Sequence, residues 1–81
     1  MAMDINNSAA AQRERILAAL RVGSLTTLQA RRDLECMHPA ARVMELRDQG
    51  HSIATVWTVD LSTQGVPHRV AKYVLQPEVR A

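Results

Sequence analysis

The side chains of this 81-residue chain that are best suited to bind another molecule are its arginines, which make up nine of the ten basic residues. Arginine presents a rigid fork of donors that fits phosphate or the edge of guanine, and glutamine fits the edge of adenine. The segment 38–50, HPAARVMELRDQG, carries one Arg and one Gln on its polar side, together with a His and a small Ala that would let the backbone approach a groove closely. The candidates for reading base edges in DNA are His38, Ala41, Arg42 and Gln49.

Two further pairs of basic residues are candidates for contact with the DNA backbone. Arg31 and Arg32 lie on the predicted helix before segment 38–50. If that segment entered a groove, the helix before it would run past the phosphates. Arg69 and Lys72 lie in a predicted strand and are candidates for phosphate or minor-groove contact. For all the candidate residues, ordinary solvated surface side chains are the competing interpretation, and residue types alone leave both open.

Two charged residues of segment 38–50 have structural interpretations. Glu45 could accept from a cytosine amino group, but a surface ion pair with Arg42 or Arg31 is the alternative that we favour. Arg47 falls toward the apolar side of the helical wheel. We therefore expect its stem to be packed and its guanidinium to be paired with an acid such as Asp33 or Glu35.

No set of residues indicates catalysis or metal binding. Cys36 is the only cysteine, so it cannot form an internal disulfide, and the chain has no CxxC pattern or His/Cys cluster. Its neighbours Met37 and His38 are adjacent in sequence only, which does not supply the geometry that a nucleophile needs. We expect a buried or half-buried Cys36 with a small apolar role, and no enzymatic activity, metal, cofactor or small-molecule substrate.

Segment 38–50 reads as one short helix over residues 38–49. Pro39 suits the first helical position and Gly50 suits the left-handed position after the last turn. With an advance of roughly 100° per residue, an apolar stripe forms on one side of the helix. The residues of that stripe are Pro39, Val43 and Leu46, flanked by Ala40 and Met44. The opposite side carries His38, Ala41, Arg42, Glu45, Asp48 and Gln49.

Two helices are predicted before this one. The first begins at a cap provided by Asn7 or Ser8 and ends at Gly23, with Arg15 facing water. The second runs from about residue 27 to 34 or 35. Thr26 followed three residues later by Gln29 is a capping-box pattern that marks its start.

After Gly50 the apolar pattern changes to a two-residue alternation, which is typical of strands. The residues of segment 51–59 that share one face are Ile53, Thr55, Trp57 and Val59. Gly65 and Pro67 mark a turn, and HRVAKYVL forms a returning strand. Segment 51–75 is therefore predicted to be a β-hairpin, with Trp57 in the core or at an interface.

Composition is consistent with one small folded domain. The chain is 47% hydrophobic and 22% charged, and Trp57 and Tyr73 are its only aromatic residues, so the core must be aliphatic. Net charge is +2 and the pI is about 9.3, which permits nucleic-acid binding without demanding it. No apolar run is long enough for a membrane span and no secretory pattern opens the chain. We expect a soluble, cytoplasmic protein.

Three helices followed by a hairpin predict an α+β winged helix-turn-helix over residues 9–76, with a flexible N-terminus at 1–8 and a tail at 77–81. The predicted core is Ile16, Leu17, Leu20, Leu28, Leu34, Val43, Leu46, Ile53 and Tyr73.

The sequence also resembles the small helix-turn-helix domains encoded by phages and prophages. The blocks that carry the resemblance are QRERILAALRVGSLTTLQARRDL, MHPAARVMELRDQGHSI and HRVAKYVL, over roughly residues 12 to 75. They match the patterns "LT…EA…L", "ARI.ELR..G..I" and "R.A.Y.L" of that family, except at Gln29, where an acid is usual. The matching residues are Leu25, Thr26, Ala30 and Leu34; Ala41, Arg42, Val43, Glu45, Leu46, Arg47, Gly50 and Ile53; and Arg69, Ala71, Tyr73 and Leu75.

The resemblance implies binding of double-stranded DNA in transcription or phage regulation, with helix 38–49 in the major groove and hairpin 51–75 as a wing. Because so small a domain buries little surface on DNA, tight binding would favour a homodimer on paired half-sites. A winged helix used as a protein-interaction module, such as an adaptor or anti-repressor, remains the alternative. Acids close to the expected reading face, Asp33, Glu45 and Asp48, favour that alternative.

Overall fold

The computed structural model describes residues 7–77, which form three helices and a three-stranded antiparallel sheet. The elements in chain order are α1 (Ala9–Val22), β1 (Leu25–Thr26), α2 (Thr27–Asp33), α3 (Pro39–Asp48), β2 (Ile53–Leu61) and β3 (Pro67–Leu75). Residues 1–6 of the predicted N-terminal extension and residues 78–81 of the predicted tail lie outside the described part of the chain.

The helix starts lie where the capping residues predict them. The Ser8 hydroxyl accepts from the N–H of Ala11 at 3.2 Å, which caps α1. In α2, Thr26 and Gln29 form both hydrogen bonds of a capping box, so two otherwise unpaired N–H groups are satisfied. Gly23 ends α1 as predicted, but in an extended conformation instead of a left-handed one.

The sheet differs from the predicted two-stranded hairpin because β1 adds a third strand. The strand order is β1-β3-β2, and Leu25 pairs with Tyr73 while Thr26 pairs with Lys72. A two-residue strand is too short to carry an alternating pattern. Only its hydrogen bonding to β3, far away in sequence, defines it as a strand.

The hairpin itself is regular over nine residues of each strand. Its register runs from Ile53 opposite Leu75 to Leu61 opposite Pro67. At the tip, the Ser62 N–H donates to the Val66 carbonyl at 2.9 Å, and the Ser62 hydroxyl accepts from the N–H of Val66 at 3.2 Å. This hairpin, residues 53–75, forms the wing, and its tip extends beyond the core.

The core lies between one face of the sheet and the three helices. Six of the predicted core residues are buried: Ile16, Leu20, Val43, Leu46, Ile53 and Tyr73. Leu17 and Leu34 are partly buried against this cluster, and Leu28 is half-buried. The buried cluster also includes Leu25, Ala30, Cys36 and Ala71, which the predicted core list does not contain. Trp57 is not a core residue, because 58% of it is exposed.

The turn between α2 and α3 has an unusual backbone. Glu35 adopts a positive φ of 53°, and the N–H groups of Leu34 and Cys36 both donate to the Ala30 carbonyl, at 3.1 and 3.2 Å. Arg15 was expected to face water. Instead its Nε donates to the carbonyl of Leu34 at 2.9 Å, so α1 holds the end of α2.

Cys36 is buried in this turn, as predicted, with no exposed surface. Its Sγ donates to Gln12 Oε1 of α1 at 3.4 Å. Burial raises the pKa of the Cys36 thiol, which therefore stays protonated at neutral pH. Cys36 is a packing residue of the turn.

Candidate nucleic-acid interface

Helix α3 buries Pro39, Val43 and Leu46 and presents its opposite side to solvent. The exposed residues of that side are Ala40, Ala41, Met44 and Asp48. Ala40 and Met44 were predicted to flank the apolar stripe. Both are exposed, and Met44 has 56% of its surface accessible, because the helices packed against α3, α1 and α2, cover a narrower strip of it than the wheel suggested.

Arg42 is mostly buried and is paired within α3. Only 19% of its side chain is exposed, and its Nη2 donates to Glu45 Oε2 at 3.1 Å. Its Nε lies 2.9 Å from Glu45 Oε1, but the N–H is not aligned to donate, and no other acceptor among residues 7–77 takes it. The predicted ion pair between Arg42 and Glu45 is therefore confirmed.

Glu45 also binds a second arginine. Arg13 Nη1 of α1 donates to Glu45 Oε1 at 2.9 Å, with 24% of the Arg13 side chain exposed. One carboxylate thus holds two guanidinium groups and links the middle of α1 to the middle of α3. Nothing in the sequence pairs residues 13 and 45, because 32 positions separate them.

A groove of about 300 Å³ lies between α2, the turn before α3 and the tip of the wing. Its lining residues are Leu28, Arg31, Arg32, Met37, Leu61, Ser62 and Thr63. Arg31 Nε donates to the Met37 carbonyl at 3.3 Å, which holds this exposed cation next to the start of α3. Two arginines predicted to contact phosphate therefore lie in one groove beside the turn that leads into α3.

Arg32 carries a local counter-charge. Its Nε and Nη2 donate to the two oxygens of Asp33 at 3.0 and 3.3 Å. These hydrogen bonds lower the pKa of Asp33 and raise that of Arg32, so both groups are charged at neutral pH. Both side chains are exposed, and a pair of this kind is easily exchanged for another anion.

The wing carries exposed apolar side chains along β2. Trp57, Val59 and Leu61 point to one face of the sheet and are exposed. On the same face, the guanidinium carbon of Arg69 lies 4.8 Å from the centre of the Trp57 ring, within cation–π distance. The guanidinium group of Arg69 thus lies over the Trp57 ring at the exposed part of the wing.

Sequence comparison agrees with this architecture. A profile of the winged helix-turn-helix domain family matches residues 11–78, which is most of the chain. The chain belongs to the winged helix-turn-helix family. No curated protein and no solved structure matches it significantly.

In this winged helix-turn-helix domain, α2 and α3 form the helix-turn-helix pair and the β2–β3 hairpin forms the wing. Domains of this family generally bind DNA, with the second helix of the pair in the major groove. The exposed side of α3 and the arginine groove therefore lie where a DNA interface is expected.

The domain brings only some of the candidate residues together. His38 is exposed at the N-cap of α3, where its side chain forms no capping hydrogen bond, and it lies near Arg31 and Ala41. Gln49 is at the other end of α3, roughly 15 Å along the axis, in a groove against α1. Lys72 is half-buried in the central strand, opposite Thr26 and Val56.

Arg47 is structural, but its partner is not the predicted acid. Its Nε and Nη2 donate to the Ile53 carbonyl at 2.9 and 2.7 Å, and Nη2 also donates to Thr55 Oγ1 at 2.8 Å. Asp33 and Glu35 belong to the other end of the helix pair. The chain reverses after α3 at Gly50, so the start of β2 comes within reach of Arg47 before any acid does.

Neither a metal site nor a membrane helix occurs in the described residues. Within residues 7–77, no three His, Cys, Asp or Glu side chains are grouped so that they could hold a metal ion. None of the helices in that range is long and apolar enough to cross a bilayer.

Proposed function

We propose that this domain is a sequence-specific regulator that binds double-stranded DNA through α3 and the wing. The observation that carries the proposal is the position of α3. Its outward side is exposed to solvent, and the groove that holds Arg31 and Arg32 is lined by Met37 of the turn that leads into α3. This is the juxtaposition that major-groove insertion with flanking phosphate contact requires.

The proposal gives the candidate residues different roles. Arg31 and Arg32 contact phosphates, because both are exposed beside the start of α3. His38 and Ala41 lie at the end of α3 that enters the major groove. Arg69 contacts phosphate or the minor groove from the wing.

The remaining three candidates have weaker access to the same surface. Arg42 is held by Glu45, Gln49 lies against α1, and Lys72 is half-buried in the sheet. We assign Arg42 to the support of α3. Gln49 and Lys72 contribute to binding only where the DNA bends toward them.

The resemblance to phage and prophage domains favours a role in phage or prophage transcription. A homodimer on paired half-sites would raise affinity, since a single module of this size buries little DNA. β2 is at the edge of the sheet and carries the exposed Trp57, so it is the element that we expect at a dimer contact. Sedimentation of the free and DNA-bound protein measures this directly.

Selection of bound duplexes from a random pool tests the proposal. We expect an enriched motif, and affinity that falls linearly with the logarithm of salt concentration. Replacing Arg31 and Arg32 by Ala should weaken binding to all duplexes and reduce the salt slope by about one unit for each phosphate that these arginines neutralise. Arg21→Ala, an exposed change at the end of α1, is the matched control. DNA binding would be refuted if the protein retained no duplex, or if the amount of duplex retained did not change with salt concentration.

A protein-interaction module is the second candidate, and one observation favours it. Trp57, Val59 and Leu61 form an exposed apolar stripe, which on a small domain is typical of a protein contact. Trp57→Ala distinguishes the two functions. If DNA is the partner of α3, the variant should still select the same half-site sequence, although loss of a dimer contact would remove the pairing of half-sites. If the stripe binds a protein, the variant should no longer bind that protein.

A further inference from the structure

The outward side of α3 has almost no hydrogen-bonding side chains in its first two turns. Ala40, Ala41 and Met44 occupy it, and Met44 lies one turn after both alanines. The arginine of this helix half, Arg42, is engaged by Glu45 on the α1 side. A helix with this surface cannot specify bases through paired hydrogen bonds from its centre.

Only one feature of the major groove matches an apolar helix surface. Thymine carries a C5-methyl group there, and alanine and other apolar side chains pack against it. The other base edges present donors and acceptors that an alanine or methionine would leave unpaired. The methyl groups of Ala40 and Ala41 and the thioether of Met44 are therefore suited to thymine.

We propose that α3 determines specificity by packing Ala40, Ala41 and Met44 against thymine methyl groups in the major groove. This inference rests on the proposed DNA-binding function and names the base that the helix selects. Ala40 and Ala41 allow close approach of the helix, and the flexible Met44 side chain fills the space between adjacent methyl groups.

The charges around α3 support DNA as the occupant of this surface. Arg31 is exposed and held at the Met37 carbonyl, immediately before α3, and Arg32 lines the same groove. Both can neutralise phosphates beside the inserted helix end. On the outward side of α3 the acid is Asp48, which lies in the last turn, roughly 10 Å along the axis from Ala41. The N-terminal half of α3 can thus enter the groove while Asp48 stays at its rim.

Paired selections test the proposal, and they work although the target sequence is unknown. One random duplex pool is synthesised with thymidine and a second with deoxyuridine, which pairs with adenine in the same way but lacks the methyl group. We expect a motif with fixed T·A positions from the first pool and loss of those positions from the second. On the selected duplex, replacing each contacted thymine by uracil should weaken binding about fourfold. Uracil outside the motif should leave affinity unchanged.

Each other outcome of the paired selections has a definite meaning. The same motif from both pools would overturn methyl recognition and leave sequence-specific DNA binding intact. Salt-dependent binding with no motif from either pool would also overturn it, because no base would then be selected. Absence of binding to both pools would refute the proposed function itself.

Variants of Met44 separate methyl recognition from a general effect on DNA shape. Met44→Ala should lower affinity for the thymidine duplex and reduce the difference between thymidine and deoxyuridine duplexes. Val22→Ala is the matched control, since it also truncates an exposed apolar helix residue, on α1 and 92% exposed. An unchanged thymidine-to-uracil ratio in Met44→Ala would remove Met44 from the contact. The same decrease in Val22→Ala would overturn the proposal.

Discussion

The guanidinium of Arg47 donates to the backbone carbonyl of Ile53 through both Nε and Nη2, at 2.9 and 2.7 Å. Arg47 is in the last turn of α3, and Ile53 is the first residue of β2. One side chain therefore links the end of α3 to the start of β2, and these are the elements that we propose contact DNA together.

Arg47→Ala should lower the free energy of unfolding by about 1.5–3 kcal/mol, because the Ile53 carbonyl loses a charged donor. Urea denaturation measures this change. Arg47→Lys should recover part of the loss, since an ammonium group cannot reproduce the two-donor fork. Arg21→Ala, in the last turn of α1, is the control, and an equal loss there would mean that the hydrogen bonds to Ile53 contribute nothing specific.

Arg42→Ala distinguishes support of α3 from base readout. If Arg42 supports α3 through Glu45, the variant should lose stability, by about 0.5–1.5 kcal/mol for this half-buried pair, in the absence of DNA. A double-mutant cycle with Glu45→Gln should then show coupling. If Arg42 reads a base, stability should stay constant, and affinity for the selected duplex should fall by about 1–3 kcal/mol with less change on random DNA.

Leu46→Ala should be among the most destabilising single changes in α3. Leu46 is 2% exposed within the core cluster, so truncation leaves a cavity and costs about 2–5 kcal/mol. Met44→Ala, two positions earlier on the outward side, should change the denaturation midpoint little. Similar midpoint shifts for the two variants would contradict the orientation of α3 described above.

Two positions with positive φ should respond in opposite directions. The N–H groups of Gly50 and His51 donate to the carbonyls of Arg47 and Leu46, and Gly50 has a φ of 103°. Gly50→Ala should therefore cost about 1 kcal/mol, although the added methyl group meets no neighbour.

At Glu35, with its φ of 53°, a change to Gly should stabilise the domain by up to about 1 kcal/mol. Glu35→Ala is the control, because alanine has the same backbone restriction as glutamate. Thermal denaturation of the three variants measures these effects. A loss of stability in Glu35→Gly would show that the turn is not strained.

Cys36 should react with thiol reagents only when the domain opens. Its thiol is buried, and burial raises its pKa, so the native protein holds little thiolate at pH 7. Labelling should be slower by roughly 100-fold or more in buffer than in urea. Folding raises the pKa of the Cys36 thiol, so above about pH 8.5, the ordinary thiol range, the unfolded chain loses this proton more readily than the folded domain. The free energy of unfolding should therefore be unaffected by this group at lower pH and should decrease as the pH rises above that value. Rapid labelling of the native protein would contradict the buried position.

Local residue chemistry was sufficient to predict most of the helix boundaries. Ser8, the Thr26–Gln29 box, Pro39 and Gly50 act within a few residues of their own position, so their roles follow from sequence. The alternation in segment 53–61 likewise predicts a strand, because side chains on a strand point to opposite faces in turn. These local rules predicted a winged helix, and the family comparison confirmed it.

The candidate site was harder to predict, because access depends on neighbours that are distant in sequence. The pairing of Arg42 with Glu45 within α3 was predicted from the sequence, but a helical wheel does not include Arg13 of α1, which binds the same carboxylate. In the same way, the alternating pattern of the last strand does not reveal that Lys72 is in the middle of a three-stranded sheet. That third strand exists only through its hydrogen bonds to β3.

Caps, turns and periodicity are short-range properties, so the order of residues along the chain was enough to locate the helices and the hairpin. Which polar groups remain available to a partner depends instead on how those elements pack. Arg13, Arg15 and Arg47 donate to groups on other segments of the domain. Arg42 is paired with Glu45 beside α1, whereas Arg31, Arg32 and Arg69 lie at the surface. Hydrogen bonds and ion pairs between distant segments determine which polar side chains stay available to a partner, because these contacts form only when the elements pack together.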